Sequence, residues 1–192
     1  MAEPAQQQKR FGHGGRTILL IGIVALAPTL AAYTIYYFFP RKAEANYGTL
    51  LPTAPAPAIE GLALDGTPFR LADLRGRWVL VAGGVAGCDT ACERTLYATR
   101  QARTMQGKEQ ERVVRVWLAS GDAELPADRM MRESGLVVVR VPPASLAALP
   151  GRDHGIWLID PRGNLVLGYP ADPDIKGLAN DLGRLLKASS IG

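Results

Sequence analysis

Cysteine and histidine are scarce in this chain, which has 2 of each among 192 residues. Cys88 and Cys92 are the only cysteines, so no third cysteine exists to build a disulfide framework around the fold. His154 is the only histidine outside the N-terminal tail, and the sequence offers no obvious fourth protein ligand for a structural zinc site. Two thiolates and one imidazole instead match the preferences of Cu(I). The two cysteines can also form a reversible disulfide, or they can alternate between binding a metal and forming the disulfide.

Motifs for nucleotide or nucleic-acid binding are also missing. The net charge is +4 and the isoelectric point is 9.3, but the lysines and arginines are scattered or flank an apolar segment, so we expect no nucleic-acid partner. The glycine-rich segment 83–87 lacks the Lys-Ser/Thr ending of a phosphate loop. Met105, Met130 and Met131 do not form a methionine-rich copper motif, and core packing or an exposed helix explains them better.

One long apolar segment, residues 17–39, contains no charged side chain and is long enough to span a bilayer. Pro28 lies near its middle, which a membrane helix tolerates. A cleaved signal peptide is the alternative, because residues 43–45 read Ala-Glu-Ala and resemble a cleavage site. The segment is longer than a normal signal core, and Arg41 and Lys42 precede that site. We therefore favour an uncleaved signal anchor.

These features divide the chain into an N-terminal tail (1–16), a transmembrane signal anchor (17–39), a linker rich in proline and alanine (40–57) and one folded domain (58–192). Basic residues on the two sides of the anchor differ only slightly in number, so they give a weak bias toward a cytoplasmic N-terminus. We expect a single-pass protein of the inner membrane with its C-terminal domain in the periplasm. In that oxidising compartment an exposed cysteine pair becomes a disulfide unless a dedicated reductant acts on it.

Strands and helices alternate in the domain, which predicts an α/β fold with a mixed sheet covered on both faces. Cys88 lies in the loop between the first core strand and the first helix of the domain. Periodicity and turn signals predict a hairpin over 62–71, strands at 78–82, 113–119, 136–141, 156–159 and 165–169, and helices at 92–105, 128–133 and 174–187.

This order of elements, with the cysteines in the first strand-to-helix loop, resembles the thioredoxin-like superfamily. The CxxxC spacing of Cys88 and Cys92, the segment 46–52 after the anchor, and Asp153-His154 before a strand resemble the Sco/SenC family. Members of that family are copper-binding assembly factors for cytochrome c oxidase. The resemblance implies that Cys88, Cys92 and His154 bind Cu(I) and that an oxidase subunit receives it. It also implies a periplasmic thioredoxin-like reductant as a partner.

Two positions depart from the family pattern. Asp89 and Glu93 follow the cysteines directly, where family members usually carry prolines. Free backbone N–H groups at a helix start stabilise thiolates. The carboxylates of Asp89 and Glu93 destabilise thiolates by adding negative charge, and Arg94 offsets part of that charge. The departures affect copper affinity, redox potential and the choice of partner.

Three functions remain open at this stage. The favoured one is a copper chaperone, which is not an enzyme. The second is a thiol-disulfide oxidoreductase in which Cys88 attacks and Cys92 resolves; against it stand the CxxxC spacing and the lack of a proline immediately before the strand at 156–159. The third is a non-catalytic assembly scaffold with a degenerate site. A structural disulfide and a structural histidine are the simplest alternatives for the three residues themselves.

Overall fold

The computed structural model describes residues 13–38, 46–84, 88–121, 130, 133–151 and 153–189. The chain divides into two compact units, Met1–Ala45 and Asn46–Gly192. In the first unit, helix α1 (His13–Phe38) includes the apolar stretch Gly14–Thr34, which is 21 residues long with a mean hydropathy of 1.9. That length and composition make α1 a candidate membrane span.

The second unit contains, within its described residues, a mixed sheet of eight strands in the order β1-β8-β7-β4-β5-β6-β2-β3. The central strands β4, β5 and β6 run parallel to one another, and all the other pairs are antiparallel. The strands are β1 (Thr49–Pro55), β2 (Glu60–Ala63), β3 (Pro68–Arg70), β4 (Trp78–Gly84), β5 (Val113–Ser120), β6 (Leu136–Val141), β7 (Ile156–Ile159) and β8 (Asn164–Tyr169).

Helices cover the sheet and create a hydrophobic core on each face. Helices α2 (Thr90–Thr104) and α4 (Ile175–Ala188) pack on one face, which we call the α2 face. The opposite face is covered by the 3₁₀ turn Leu71–Leu74 and by the segment that includes the short helix α3 (Pro143–Ala147). The predicted mixed sheet flanked by helices is therefore confirmed.

The element bounds agree closely with the sequence analysis in the core. Strands β6 and β7 have the predicted bounds, and α2 and α4 differ from theirs by one or two residues at each end. The predicted helix over 128–133 falls mostly outside the described residues.

The segment 40–57, which we expected to be an extended linker, contains strand β1 at one edge of the sheet, paired with β8. Proline is tolerated there because an edge strand leaves part of its backbone unpaired. The same extended backbone that predicts a linker also suits an edge strand, and only pairing with β8 distinguishes the two.

Candidate functional site

Helix α2 begins immediately after the cysteine loop, and Asp89 is its N-cap. The Asp89 carboxylate accepts hydrogen bonds from the backbone N–H groups of Ala91 (3.1 Å) and Cys92 (2.9 Å). An aspartate directly before a helical run is a standard helix-start signal. The sequence-based expectation for Asp89 was only an added negative charge, not a helix cap. Because Asp89 already accepts from the Cys92 N–H, that group is not free to stabilise a thiolate.

Arg94, expected to offset the acidic residues beside the cysteines, lies one turn into α2. Its guanidinium pairs with Asp172 at 2.9 Å, and both side chains are exposed. Its Nε also donates to the Thr90 carbonyl. An exposed pair of this kind contributes little to stability.

The two cysteines are joined as a disulfide, with their Cα atoms 5.0 Å apart. Cys88 directly precedes the N-cap Asp89 and Cys92 lies in the first turn of α2, so the two sulfurs meet at the start of the helix. Cys92 is only 5% exposed and belongs to the core of the α2 face, whereas Cys88 is half-buried at the edge of that core. After reduction, Cys88 therefore presents the more accessible sulfur.

Cys88 opens into a small pocket of about 70 Å³ on the α2 face. The lining combines apolar and charged side chains, namely Cys88, Glu93, Leu96, Tyr97, Arg100, Met130 and Glu133. The Arg100 guanidinium lies over the Tyr97 ring and pairs with Glu133 at 3.1 Å. The pocket therefore lies between α2 and the segment that contains Met130 and Glu133.

A buried arginine underlies this pocket. Arg115 on β5 is 1% exposed and donates to the Leu96 carbonyl (2.7 Å), to Thr99 Oγ1 (3.2 Å) and to Glu133 Oε2 (3.0 Å). Burial lowers the pKa of Arg115, and the ion pair with Glu133 opposes that shift. The sequence predicts only a core strand here. The available signal for a buried arginine was Arg115 itself, a charged residue within an apolar run.

His154 lies just before β7, and its backbone N–H donates to the Gly151 carbonyl at 3.1 Å. Its ring is packed between two glycines: a Cβ atom added to Gly151 or to Gly168 would lie 2.5 Å from the ring Cδ2. Gly168 pairs with Trp157, whose side chain belongs to the core opposite the α2 face. Paired residues of antiparallel strands share a face, so a Cβ atom on Gly168 would lie on the same face as the Trp157 side chain. The ring of His154 lies next to that position and is therefore on the side of the sheet away from Cys92.

The structure thus brings Cys88 and Cys92 together and places His154 elsewhere. Among the described residues, which include all three, no group of three His, Cys, Asp or Glu side chains is arranged to hold a metal ion. Two sulfurs suit Cu(I) once the disulfide is reduced. His154 can join them only if its ring leaves the two glycines. Asp153, the neighbour of that histidine in sequence, is exposed.

The comparisons with solved structures find thioredoxin-like folds of two kinds. Copper-bound ScoI from Arabidopsis thaliana is 15% identical, with 71% of this chain and all of that chain covered and a TM-score of 0.58. Apo Sco1 from Thermus thermophilus is 20% identical, with 77% and 98% covered and a TM-score of 0.56. The thioredoxin domain of a thiol-disulfide oxidoreductase from Bacteroides vulgatus is 23% identical, with 71% and 99% covered and a TM-score of 0.53. At these identities the likeness establishes the fold.

No curated protein matches the chain. A family model does match it, over residues 78–189, and its description is "Transmembrane-like, thioredoxin-like, C-terminal domain". That match covers more than half of the sequence and includes the cysteine loop, α2 and His154. The chain therefore belongs to this transmembrane-like, thioredoxin-like family.

Proposed function

We propose that Cys88 and Cys92 form a reversible dithiol whose reduced form binds Cu(I) and delivers it to the copper-receiving subunit of cytochrome c oxidase. The observation that carries the proposal is the meeting of the two sulfurs at the start of α2, with Cys88 at the rim of an open pocket. The Sco proteins among the structural neighbours, one of them with copper bound, support this function. So does the resemblance of the CxxxC and Asp153-His154 motifs to the Sco/SenC family.

Copper loading requires the disulfide to be reduced first. A dithiol donor, for which a periplasmic thioredoxin-like protein is suited, supplies two electrons and two protons and is itself left as a disulfide. Cu(I) then binds as the two thiols lose their protons, so binding depends on pH. The Sco/SenC resemblance implies His154 as a further ligand, and that role requires its ring to move from between Gly151 and Gly168. Transfer to the acceptor proceeds by ligand exchange.

The proposal places the protein in the inner membrane, with segment 17–39 as an uncleaved anchor and the domain 58–192 in the periplasm. The apolar helix α1 supports the anchor. Proteolysis of intact and opened cells separates the two possible orientations, because only a periplasmic domain is cleaved in cells whose outer membrane alone is permeable.

Thiol-disulfide exchange is the second candidate function, and the unequal exposure of the two cysteines favours it. The Cys88 thiolate attacks a disulfide of a partner protein, forms a mixed disulfide and releases one partner thiol. Cys92 then attacks Cys88, which releases the second thiol and leaves the Cys88–Cys92 disulfide. Gly155 directly precedes β7, so this chain lacks the proline with which such enzymes usually hold a substrate at that position.

The deciding experiment is a Cu(I) titration of the reduced full-length protein in detergent against a coloured Cu(I) chelator. We expect one copper per chain, and we expect binding to disappear in the Cys88→Ser, Cys92→Ser double variant. Wild type that binds no better than the double variant overturns the copper function. The reduction potential and activity on a disulfide substrate then decide between the oxidoreductase and a non-catalytic scaffold.

A further inference from the structure

We propose that Met130 supplies the third Cu(I) ligand, so that Cys88, Cys92 and Met130 form an all-sulfur site. This inference rests on the proposed copper function. Met130 and Cys88 line the same pocket, and His154 is not among the residues that line it. Met130 and Cys92 also belong to one hydrophobic cluster, against which Cys88 packs. The geometry therefore points to a thioether ligand from the pocket that Cys88 lines, where the sequence alone indicated an imidazole.

The position of Met130 is supported by charged contacts on both sides of the pocket. The Glu133 N–H donates to the Met130 carbonyl at 3.1 Å. The Glu133 carboxylate in turn pairs with Arg100 of α2 (3.1 Å) and with Arg115 of β5 (3.0 Å). Two arginines from different elements thus hold Glu133, whose backbone N–H contacts Met130. Because the Met130 side chain is 2% exposed, the pocket keeps its thioether away from water.

The chemistry of these side chains suits Cu(I). This ion prefers soft thiolate and thioether sulfur over carboxylate oxygen, so Glu93 and Glu133 at the same pocket are poor competitors. A thioether is neutral and carries no proton to lose. The flexible side chain of methionine also adapts to an ion without movement of the backbone. A third neutral ligand of this kind holds copper more weakly than a third thiolate would, which favours release to an acceptor.

The test compares Cu(I) affinity in the reduced full-length protein in detergent, with a coloured chelator as competitor. Met130→Leu keeps the volume and apolar character of the side chain and removes only the sulfur. We expect its affinity to fall by about tenfold or more, which corresponds to roughly 1.4 kcal/mol. Met105→Leu is the matched control, because Met105 is 53% exposed and does not line the pocket. We expect no change in that control and a smaller loss in His154→Ala than in Met130→Leu.

A direct measurement detects the methionine ligand itself rather than a change in affinity. Selenomethionine-labelled wild type, loaded with Cu(I), is measured by selenium X-ray absorption. A copper neighbour at selenium that is lost in labelled Met130→Leu supports the site. Copper bound at wild-type affinity by Met130→Leu, with no copper neighbour at selenium, overturns the Met130 inference and leaves the cysteine site standing. If the proposed copper function itself is wrong, the result differs: wild type then binds Cu(I) no better than the double cysteine variant.

Discussion

At the scale of single residues, Asp89 has the clearest effect on the cysteine loop. Its carboxylate accepts two backbone hydrogen bonds at the start of α2, one of them from Cys92. The Sco/SenC resemblance implies a proline at this position, and a proline has no side-chain acceptor to cap the helix. Asp89 therefore supplies a side-chain cap that contacts the backbone of one cysteine.

We expect Asp89→Ala to lower the free energy of unfolding by about 1 kcal/mol, because two N–H groups at the helix start lose their acceptor. Asp89→Ser is the matched control: its hydroxyl restores a cap, so most of the stability returns. Urea denaturation of the oxidised protein measures both. An alanine variant as stable as the wild type would contradict the capping role.

At the scale of elements, the buried Arg115 connects strand β5, helix α2 and the turn at Glu133. One guanidinium satisfies the Leu96 carbonyl, the Thr99 hydroxyl and a carboxylate. A buried charge is tolerated when most of its hydrogen-bonding capacity is met, and these contacts meet most of it. The wall of the Cys88 pocket therefore depends on a residue that lies beneath the pocket on the sheet.

We expect Arg115→Met to lower the free energy of unfolding by about 3 kcal/mol, since removal of one member of a buried pair leaves polar partners unsatisfied. Glu133 keeps its second partner, Arg100, which limits the loss. Arg70→Met is the control: its pair with Asp73 is exposed on both sides, so we expect a change within about 0.5 kcal/mol. Equal stabilities of the two variants in chemical denaturation would refute this role for Arg115.

At the scale of the whole C-terminal unit, a buried carboxylate anchors the beginning of the fold. Asp181 of α4 is 2% exposed and accepts from the backbone N–H groups of Tyr47 (3.2 Å) and Gly48 (2.9 Å). The hydroxyl of Tyr169 donates to the same carboxylate at 3.4 Å. The ring of Tyr47 stacks on that of Tyr169. These contacts hold the first residues of the unit against helix α4, so residues far apart in sequence contribute to the stability of the same cluster.

Burial, followed by the adjacent charge of Asp181, raises the pKa of Tyr169. The folded protein thus holds this proton more tightly than the unfolded chain does. The corresponding stability is complete below about pH 10, the ordinary pKa of tyrosine, and is lost as the pH rises above it. We expect Tyr169→Phe to remove this part of the alkaline loss, whereas the exposed Tyr97→Phe retains it. Urea unfolding on either side of about pH 10 provides the measurement.

The sequence by itself determined the apolar segment 17–39 and the alternation of core strands and helices, because each follows from local periodicity. For Cys88 and Cys92 it left a metal site and a disulfide both open. Their spacing lets the two sulfurs converge at a helix start in either case. Tertiary structure decided the rest. Segment 49–55 is an edge strand because it pairs with β8. The positions of His154 and Met130 depend on contacts across the sheet and beside α2. Such long-range contacts leave no local pattern, since the face on which a loop residue lies depends on the strands that it joins.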